Sequence, residues 1–244
     1  MCATRARIAV VIPALNEEAA LPHVLRALPT HLVEEVIVVD NGSSDHTAET
    51  ARAAGATVLR EPRRGYGWAC LAGITYLKTK SPDIVVFLDG DGSDYPQELP
   101  LLIRPIVEEG YDLVIGSRTK GHAADGALLP QARFGNAVAT FLIRALYGFS
   151  YSDLGPFRAI RFPSLLCLGM TDRTYGWTVE MQIKAIQQGL RITEVPVRYR
   201  RRIGGTSKVT GTVRGTLGAG YKILWTVLRY AVRPLWARRQ SNGT

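Results

Sequence analysis

The chain has 244 residues, 46% of them apolar and 21% charged, which is long enough to bury a core and too apolar for a disordered or low-complexity polypeptide. Its net charge of +9 is lopsided: residues 191–244 hold twelve of the 30 Lys and Arg but a single acid, Glu194, while the first 190 residues are slightly acidic. Cys2, Cys70 and Cys167 fit no zinc or redox spacing and are read as reduced thiols, and the opening MCATRARIAVVIP lacks the pattern of a secretory leader.

In chain order, apolar β-branched runs at 8–13 (IAVVIP), 35–40 (EVIVVD), 56–61 (ATVLRE), 83–89 (DIVVFLD) and 111–117 (YDLVIGS) read as buried strands. Helix signals fall between them: LPHVLRAL with Pro22 in its first turn, SDHTAETARAAG with Asp45 as N-cap and Gly55 as stop, GYGWACLAGITYLKTK, and PQELPLLIRPIVEEG from Pro96 to Gly110. Strand–helix–strand alternation with unbroken apolar strands predicts an α/β fold, a mostly parallel twisted sheet with helices on both faces. Past residue 118 the pattern loosens. ARFGNAVATFLIRALYG and TVEMQIKAIQQG read as helices, SDLGPFRAI as a loop turning into a strand, and RITEVPVRYRRR as a further strand, with no linker to mark a separate domain. In such sheets ligands bind beyond the carboxyl ends of the strands. PALNEE, DNGSSD, REPRRGYG and DGDGSD each begin where a strand ends, so one rim is expected to carry all four.

FLDGDGSDYP, residues 87–96, gathers three aspartates directly after an apolar run. Tandem Asp-Gly pairs suit a hairpin, but nothing after Tyr95 alternates as a returning strand. A calcium loop of the EF-hand kind fails on spacing, because Asp94 stands where Gly is needed and Pro100 where Glu is needed. The dinucleotide-binding glycine pattern fails too: Gly65 and Gly67 follow the third strand and lead to Cys70. A carboxylate pair at a strand end, Asp89 with Asp91, is suited to Mg2+ or Mn2+ carrying a diphosphate. Two such charges ~4 Å apart repel by about 1 kcal/mol in water and by more in a cleft. A hard divalent cation reverses that sign and neutralises a departing diphosphate. Gly90 and Gly92 remove side chains where a sugar and phosphates come close to backbone. Spacing alone leaves this reading and a solvated turn both open.

VIPALNEE, VVDNGSSDHT, RRGYGWA, FLDGDGSD, GSR, DLGPFRA, VEMQ and RRRIGGTSK occur in that order. With them the chain resembles family-2 glycosyltransferases over about residues 7–212, most of all the dolichol- and polyprenyl-phosphate sugar transferases. The resemblance implies a GT-A fold over residues 1–212, about 1–118 as the nucleotide-sugar half and 119–212 as the acceptor half. It implies a UDP- or GDP-sugar donor, Mg2+ or Mn2+, inversion at the anomeric carbon, and a polyprenyl or dolichyl phosphate acceptor. Carried over residue by residue, Pro13, Leu15 and Glu17 line the base and ribose pocket, Gly67 and Gly90 belong to the same donor site, and Asp40 accepts from the base ring. Asp89 sits near ribose and metal, and Asp91 is the main metal ligand. Ser93 stands where some of these enzymes carry a Gln ligand, and Asp94 matches no role in the family. Arg118 of GSR and Arg133 match residues used for a lipid phosphate. Arg202, Ser207 and Lys208 match a loop, R-x-x-G-x-S-K, that closes over both phosphates with Gly204 and Gly205 as its hinge.

A lipid phosphate is ionised at pH 7 and needs no general base, whereas a hydroxyl needs a carboxylate to take its proton. Asp153 in DLGPFRA and Glu180 in VEMQ are the carboxylates expected on the acceptor side. Residues 213–244 are expected to form a basic amphipathic helix and tail. Leu217, Tyr221, Leu224 and Leu228 share one face, Lys222, Arg229 and Arg233 the opposite one, and Trp225 lies near the boundary. Such a helix suits a membrane interface or packing on the domain, and both stay open. Lys222 and Arg229 interrupt the apolar run, so no span of ~18 residues is expected; the protein reads as cytoplasmic, peripheral on the inner face of the membrane. A chain that stops at Thr244 without a span keeps a soluble hydroxyl acceptor open: a small sugar, a glycerate or another metabolite. A nucleotidyltransferase is disfavoured because IPALNEE is not the Gly-rich loop such enzymes open with. Nucleic acid is not an expected partner, since the basic tail interleaves few aromatics with its charges.

Overall fold

The computed structural model describes residues 6–204, 218 and 220–231. Seven strands form one sheet, in the order β3-β2-β1-β4-β6-β5-β7. They are β1 (Ile8–Ala14), β2 (Glu35–Asp40), β3 (Thr57–Arg60), β4 (Ile84–Phe87), β5 (Leu113–Ala123), β6 (Arg158–Arg161) and β7 (Ile192–Tyr199). Pairings β1–β2, β2–β3, β1–β4 and β5–β7 are parallel, as the apolar runs predict. β6 is antiparallel to both neighbours, with Arg158 opposite Phe87 and Ile115. The chain therefore enters β6 from the carboxyl rim, and the loop before it, residues 149–157, is delivered to that rim. A run of four residues carries no directional signal, which is why the sequence did not announce the reversal.

Both faces of the sheet are covered, so β1 shows no polar alternation. Ile8, Val10 and Ile12 pack with α1 (Leu21–Ala27), α2 (Thr47–Ala53) and α4 (Leu99–Glu109) through Leu21, Val24, Ala51, Leu102 and Ile106. Ala9 and Val11 face the other way, with Val39, Phe87 and Ile115, toward α3 (Tyr66–Leu77), α5 (Pro130–Tyr147), α6 (Phe162–Leu168) and α7 (Trp177–Gln187). A buried Leu such as Leu102, fully excluded from solvent, anchors such a layer at about 2–5 kcal/mol when truncated to Ala.

Helix ends follow the punctuation in the sequence with small shifts. Residues Pro96–Glu98 make a 3-10 turn ahead of α4, and Gly110 closes it at φ +74, a left-handed conformation that glycine takes at little cost. Asp45 stands one place before the N-cap His46 and accepts from Thr47 N at 3.1 Å and Thr47 Oγ1 at 2.5 Å. Helix α6 has no counterpart in the sequence reading. The boundary expected at 118/119 falls inside β5, so the two halves share one sheet.

Residues 220–231 are helical and pack on the domain by a face other than the one expected. Thr226, Val227 and Tyr230 are buried, with Ile223 beside them, whereas Tyr221, Trp225 and Leu228 point to solvent. Lys222 pairs with Asp172 at 2.9 Å. The remainder of the expected helix and tail, with Leu217 and Arg233, lies outside the described residues.

Candidate active site

The carboxyl ends of β1, β2 and β4 open on a cavity of about 490 Å³ whose lining includes Pro13, Leu15, Glu17, Asn41, Arg64, Tyr66, Asp89, Gly90, Asp91, Tyr175 and Arg202. A second cavity, about 290 Å³, shares Tyr66, Asp89 and Tyr175 with the first and continues past Arg118 between α5 and the 220–231 helix. A third, about 510 Å³, lies on the other side of Arg118 and is lined by His122, Arg133, Asn136, Ser152 and Asp153 among others. Four of the motifs at strand ends thus meet on one rim, and Arg118 stands where two of the cavities adjoin.

The acid loop is the least satisfied part of the molecule. Asp89 Oδ1 is buried with no hydrogen-bond partner. Its carboxyl is pushed up to about 7, first by burial and then by the charge of Asp91, with Tyr66, Arg118 and Arg202 pulling the other way. Both carboxylate oxygens of Asp94 are buried and unpartnered as well, and burial followed by the charges of Asp89 and Asp91 holds its carboxyl well above the usual range. Asp91 Oδ1 accepts from Ser93 N at 2.8 Å and Ser93 Oγ at 2.5 Å, while Oδ2 accepts from Arg202 Nη2 at 2.7 Å. Ser93 therefore orients the Asp91 carboxylate.

Asp89, with an orphaned oxygen on the cavity lining, and Asp91 beside it supply hard oxygens that fit a divalent cation. Among the described residues no three His, Cys, Asp or Glu side chains converge as a closed metal cage. Two carboxylates with open positions are what Mg2+ or Mn2+ takes when a substrate diphosphate supplies the remaining oxygens.

Residues 199–204 lie across this loop. Arg200 N donates to Ser93 O at 2.9 Å and Ile203 N to Asp91 O at 3.0 Å, and Arg200 Nε reaches Gly92 O at 2.7 Å. Gly92, at φ +75, is needed for this overlay: a Cβ there would come within 2.5 Å of Ile203 Cδ1. It makes room for Ile203, and Gly90 lines the first cavity. Arg202 also approaches Glu17, Nη1 to Oε1 at 3.9 Å. Gly204 is described; Gly205, Ser207 and Lys208 lie outside the described residues.

Several expected roles are corrected by geometry. Asp40 is absent from the cavity lining; its Oδ1 accepts from Ser43 N at 2.9 Å and shapes the turn after β2. The neighbouring Asn41 lines the cavity instead, accepting from Gly65 N at 2.7 Å and donating to Glu61 O and Arg63 O. Gly67 is no ligand position either: a Cβ there would lie 2.1 Å from Asp172 O, so it serves the close approach of α3 to the 172–173 backbone. Asn41, Arg64, Tyr66 and Tyr175 went unrecognised as lining residues. Asn41 lies in DNGSSD and Arg64 and Tyr66 in REPRRGYG, two motifs expected on this rim, whereas Tyr175 lies in none of them.

On the acceptor side both expected bases are already spent. Asp153, fully buried, accepts four bonds: from Arg118 N and Nε at 2.8 Å each, from Arg118 Nη2 at 2.7 Å and from Leu154 N at 2.8 Å. The Arg118 guanidinium is held well above its ordinary pKa; burial works against its charge, but the hydrogen bond and charge of Asp153 outweigh that. Glu180 lines none of the three cavities and accepts from Thr171 Oγ1 and Tyr230 Oη at 2.6 Å, Asp172 N at 2.6 Å and Lys184 Nζ at 2.8 Å. Burial alone would raise its pKa; the bonds from Lys184, Thr171 and Tyr230 bring it below the ordinary value. Asp153 thus fixes Arg118, and Glu180 ties α7 to residues 171–172 and the 220–231 helix. Arg118 and Arg133, expected to share a phosphate, do line one cavity together.

Comparisons with known proteins point to one family. Residues 9–168 match the glycosyl transferase family 2 domain. An uncharacterized glycosyltransferase of Mycobacterium tuberculosis is 40% identical over 211 residues, covering 86% of this chain and 93% of the relative. An undecaprenyl-phosphate mannosyltransferase of Micrococcus luteus is 31% identical over 223 residues, 86% of this chain and 90% of its own length. Among solved structures, glucosyl-3-phosphoglycerate synthase from Mycobacterium tuberculosis, in complex with Mn2+, UDP and glucosyl-3-phosphoglycerate, superposes with a TM-score of 0.70 at 26% identity, covering 93% of this chain and 80% of that one.

Proposed function

The chain belongs to glycosyl transferase family 2 and is a glycosyltransferase; from that premise we propose that it moves a sugar from a UDP-sugar to the phosphate of a polyprenyl lipid, with inversion at the anomeric carbon. The observation that carries the acceptor is the state of its carboxylates. Among the described residues, the acids lining the second and third cavities are Asp89, which on this reading is given over to the metal, and Asp153, whose accepting capacity is all taken by Arg118 and Leu154. A hydroxyl acceptor would have to lose a proton to such a group, whereas a phosphate monoester arrives already ionised. The apolar walls of the second cavity, Leu154, Pro156, Tyr199 and Ile223, suit an isoprenyl chain behind that phosphate.

The roles follow from position. Pro13, Leu15 and Glu17 receive the nucleoside in the first cavity, and Asp89 and Asp91 stand at its floor for the Mg2+ or Mn2+ that comes with the diphosphate. When bound, that ion supplies charge neutralisation to the leaving nucleoside diphosphate. Arg202 exchanges Asp91 for phosphate oxygens, which its planar fork fits as well as it fits a carboxylate. Arg118, locked by Asp153, holds the acceptor phosphate so that its oxygen lies behind the anomeric carbon; positioning of this kind replaces general-base catalysis.

A second reading has one observation in its favour. His122 lines the third, polar cavity beside Arg118, and an imidazole there would take the proton of a soluble phosphorylated hydroxy acid such as phosphoglycerate. A panel of nucleotide sugars with Mn2+, offered with a short isoprenyl phosphate or with 3-phosphoglycerate and read by nucleoside diphosphate release and product mass, separates the two. Turnover with isoprenyl phosphate is expected; turnover with 3-phosphoglycerate alone would overturn the lipid acceptor.

A further inference from the structure

On the reading that the acceptor is a polyprenyl phosphate, we propose that α5 and the 220–231 helix form a docking platform for an anionic bilayer, set on either side of the acceptor cavity.

Among the described residues, each helix keeps an apolar stripe in water beside the face it packs on the domain. The 220–231 helix buries Thr226, Val227 and Tyr230, yet Tyr221, Trp225 and Leu228 remain 69%, 50% and 49% exposed. At spacings of four and three these residues form one line, and the rings of Tyr221 and Trp225 stack at 6.5 Å with planes 13° apart. Helix α5 buries Ala139 and Ile143 and presents Phe134 and Phe141, 72% and 67% exposed, two turns apart on one line. The two helices touch, Tyr147 Oη donating to Val227 O at 2.6 Å. They also flank the second cavity: Ala132 and Gly135 of α5 line it from one side, Gly220 and Ile223 from the other.

Charge selects the occupant. Neither helix contains Asp or Glu. Exposed Arg133 and Arg144 run along one flank of the Phe134–Phe141 line, and exposed Arg229 follows Leu228. Trp and Tyr with an apolar body and a polar tip, next to arginines without acidic counterparts, match the headgroup layer of an anionic membrane better than a dry protein interface, whose core is depleted of charge. Among the described residues no helix is long and apolar enough to cross a membrane, so the contact is one of lying on the surface. With its phosphate at Arg118, an isoprenyl chain leaves the second cavity between the two stripes and need not pass through water.

The test uses the full chain and vesicles of equal parts phosphatidylcholine and phosphatidylglycerol, with pure phosphatidylcholine as control, read by flotation. The wild type is expected to float with the anionic vesicles, with a blue shift of tryptophan emission. The pairs Phe134→Ser with Phe141→Ser and Tyr221→Ser with Trp225→Ser are each expected to weaken flotation by about tenfold, the second also losing the blue shift. Both pairs keep transfer to a water-soluble short-chain isoprenyl phosphate, which shows that they fold and that their loss is one of docking, and both lose transfer to long-chain polyprenyl phosphate in vesicles. A wild type that stays unbound, or variants that float as it does, overturns the platform while leaving the acceptor reading intact. Flotation without transfer to either isoprenyl phosphate upholds the platform and overturns the acceptor instead. A sedimentation shift from dimer to monomer in the variants, with vesicle binding unchanged, would assign the stripes to a second copy of the chain and end the proposal.

Discussion

The acids of the donor rim and those of the acceptor rim differ in what they have left to give. Asp89 and Asp94 are buried with orphaned oxygens, whereas Asp153 and Glu180 are buried with theirs fully engaged, and Glu194 accepts from Ser152 and pairs with Lys120 at 2.9 Å. Burial alone therefore says nothing of function. An unsatisfied buried carboxylate stores an unfavourable desolvation that a cation relieves, while a satisfied one has spent the same chemistry on holding the fold.

That contrast can be broken by substitution. The largest effect is expected for Asp91→Ala, which should lower turnover by about a thousandfold in nucleoside diphosphate release while leaving the melting midpoint close to wild type. Full activity in this variant would remove the donor-side reading. Next comes Arg118→Ala, which strands Asp153, 1% exposed, without its partner. Chemical denaturation should register a loss of about 3–5 kcal/mol, and a loss near zero would mean that the pair is not a strut. The opposite sign is expected at Asp89. Its folded-state pKa of about 7 exceeds the ordinary 3.8, so folding of the metal-free protein is penalised increasingly between those two pH values and by the full amount above about 7. Asp89→Asn should therefore melt at or above the wild-type temperature at pH 8 without metal, though it turns over poorly.

Glu180 supplies the pH test. Its pKa is lowered on folding, so its contribution is present above the unfolded value near 4.5 and is lost as the pH falls through the folded value. Wild-type stability should drop over that acid range by more than that of Glu180→Gln. The smallest expected effect is that of His122→Ala, whose turnover with isoprenyl phosphate should stay within about twofold of wild type. A collapse there would favour the hydroxyl acceptor.

What could be read before any coordinates were known divides along the same line. The five amino-terminal strands and the rim they share followed from unbroken apolar runs ending in polar loops, because burial on both faces leaves that signature locally. The orientation of β6, helix α6 and the packed face of residues 220–231 did not, since each is decided by tertiary neighbours rather than by periodicity. Site residues behaved likewise. Asp89 and Asp91 were legible as a pair at a strand end. The engagement of Asp153 and Glu180 was not legible, since a key partner of each is remote in sequence, Arg118 lying 35 residues away and Tyr230 50 residues away. Asp40 and Gly67 sat in motifs that reach the cavity, but the reaching is done by Asn41 and by backbone packing.

The contact between Arg202 and Asp91 carries a consequence for handling and for physiology. A guanidinium at rest on the very carboxylate a dication would occupy offsets one of the negative charges there, so the polypeptide carries a built-in placeholder. Prolonged dialysis against EDTA should then leave it folded and ready to be recharged, and the identity of the loaded ion should be set by whichever one the surrounding pool offers.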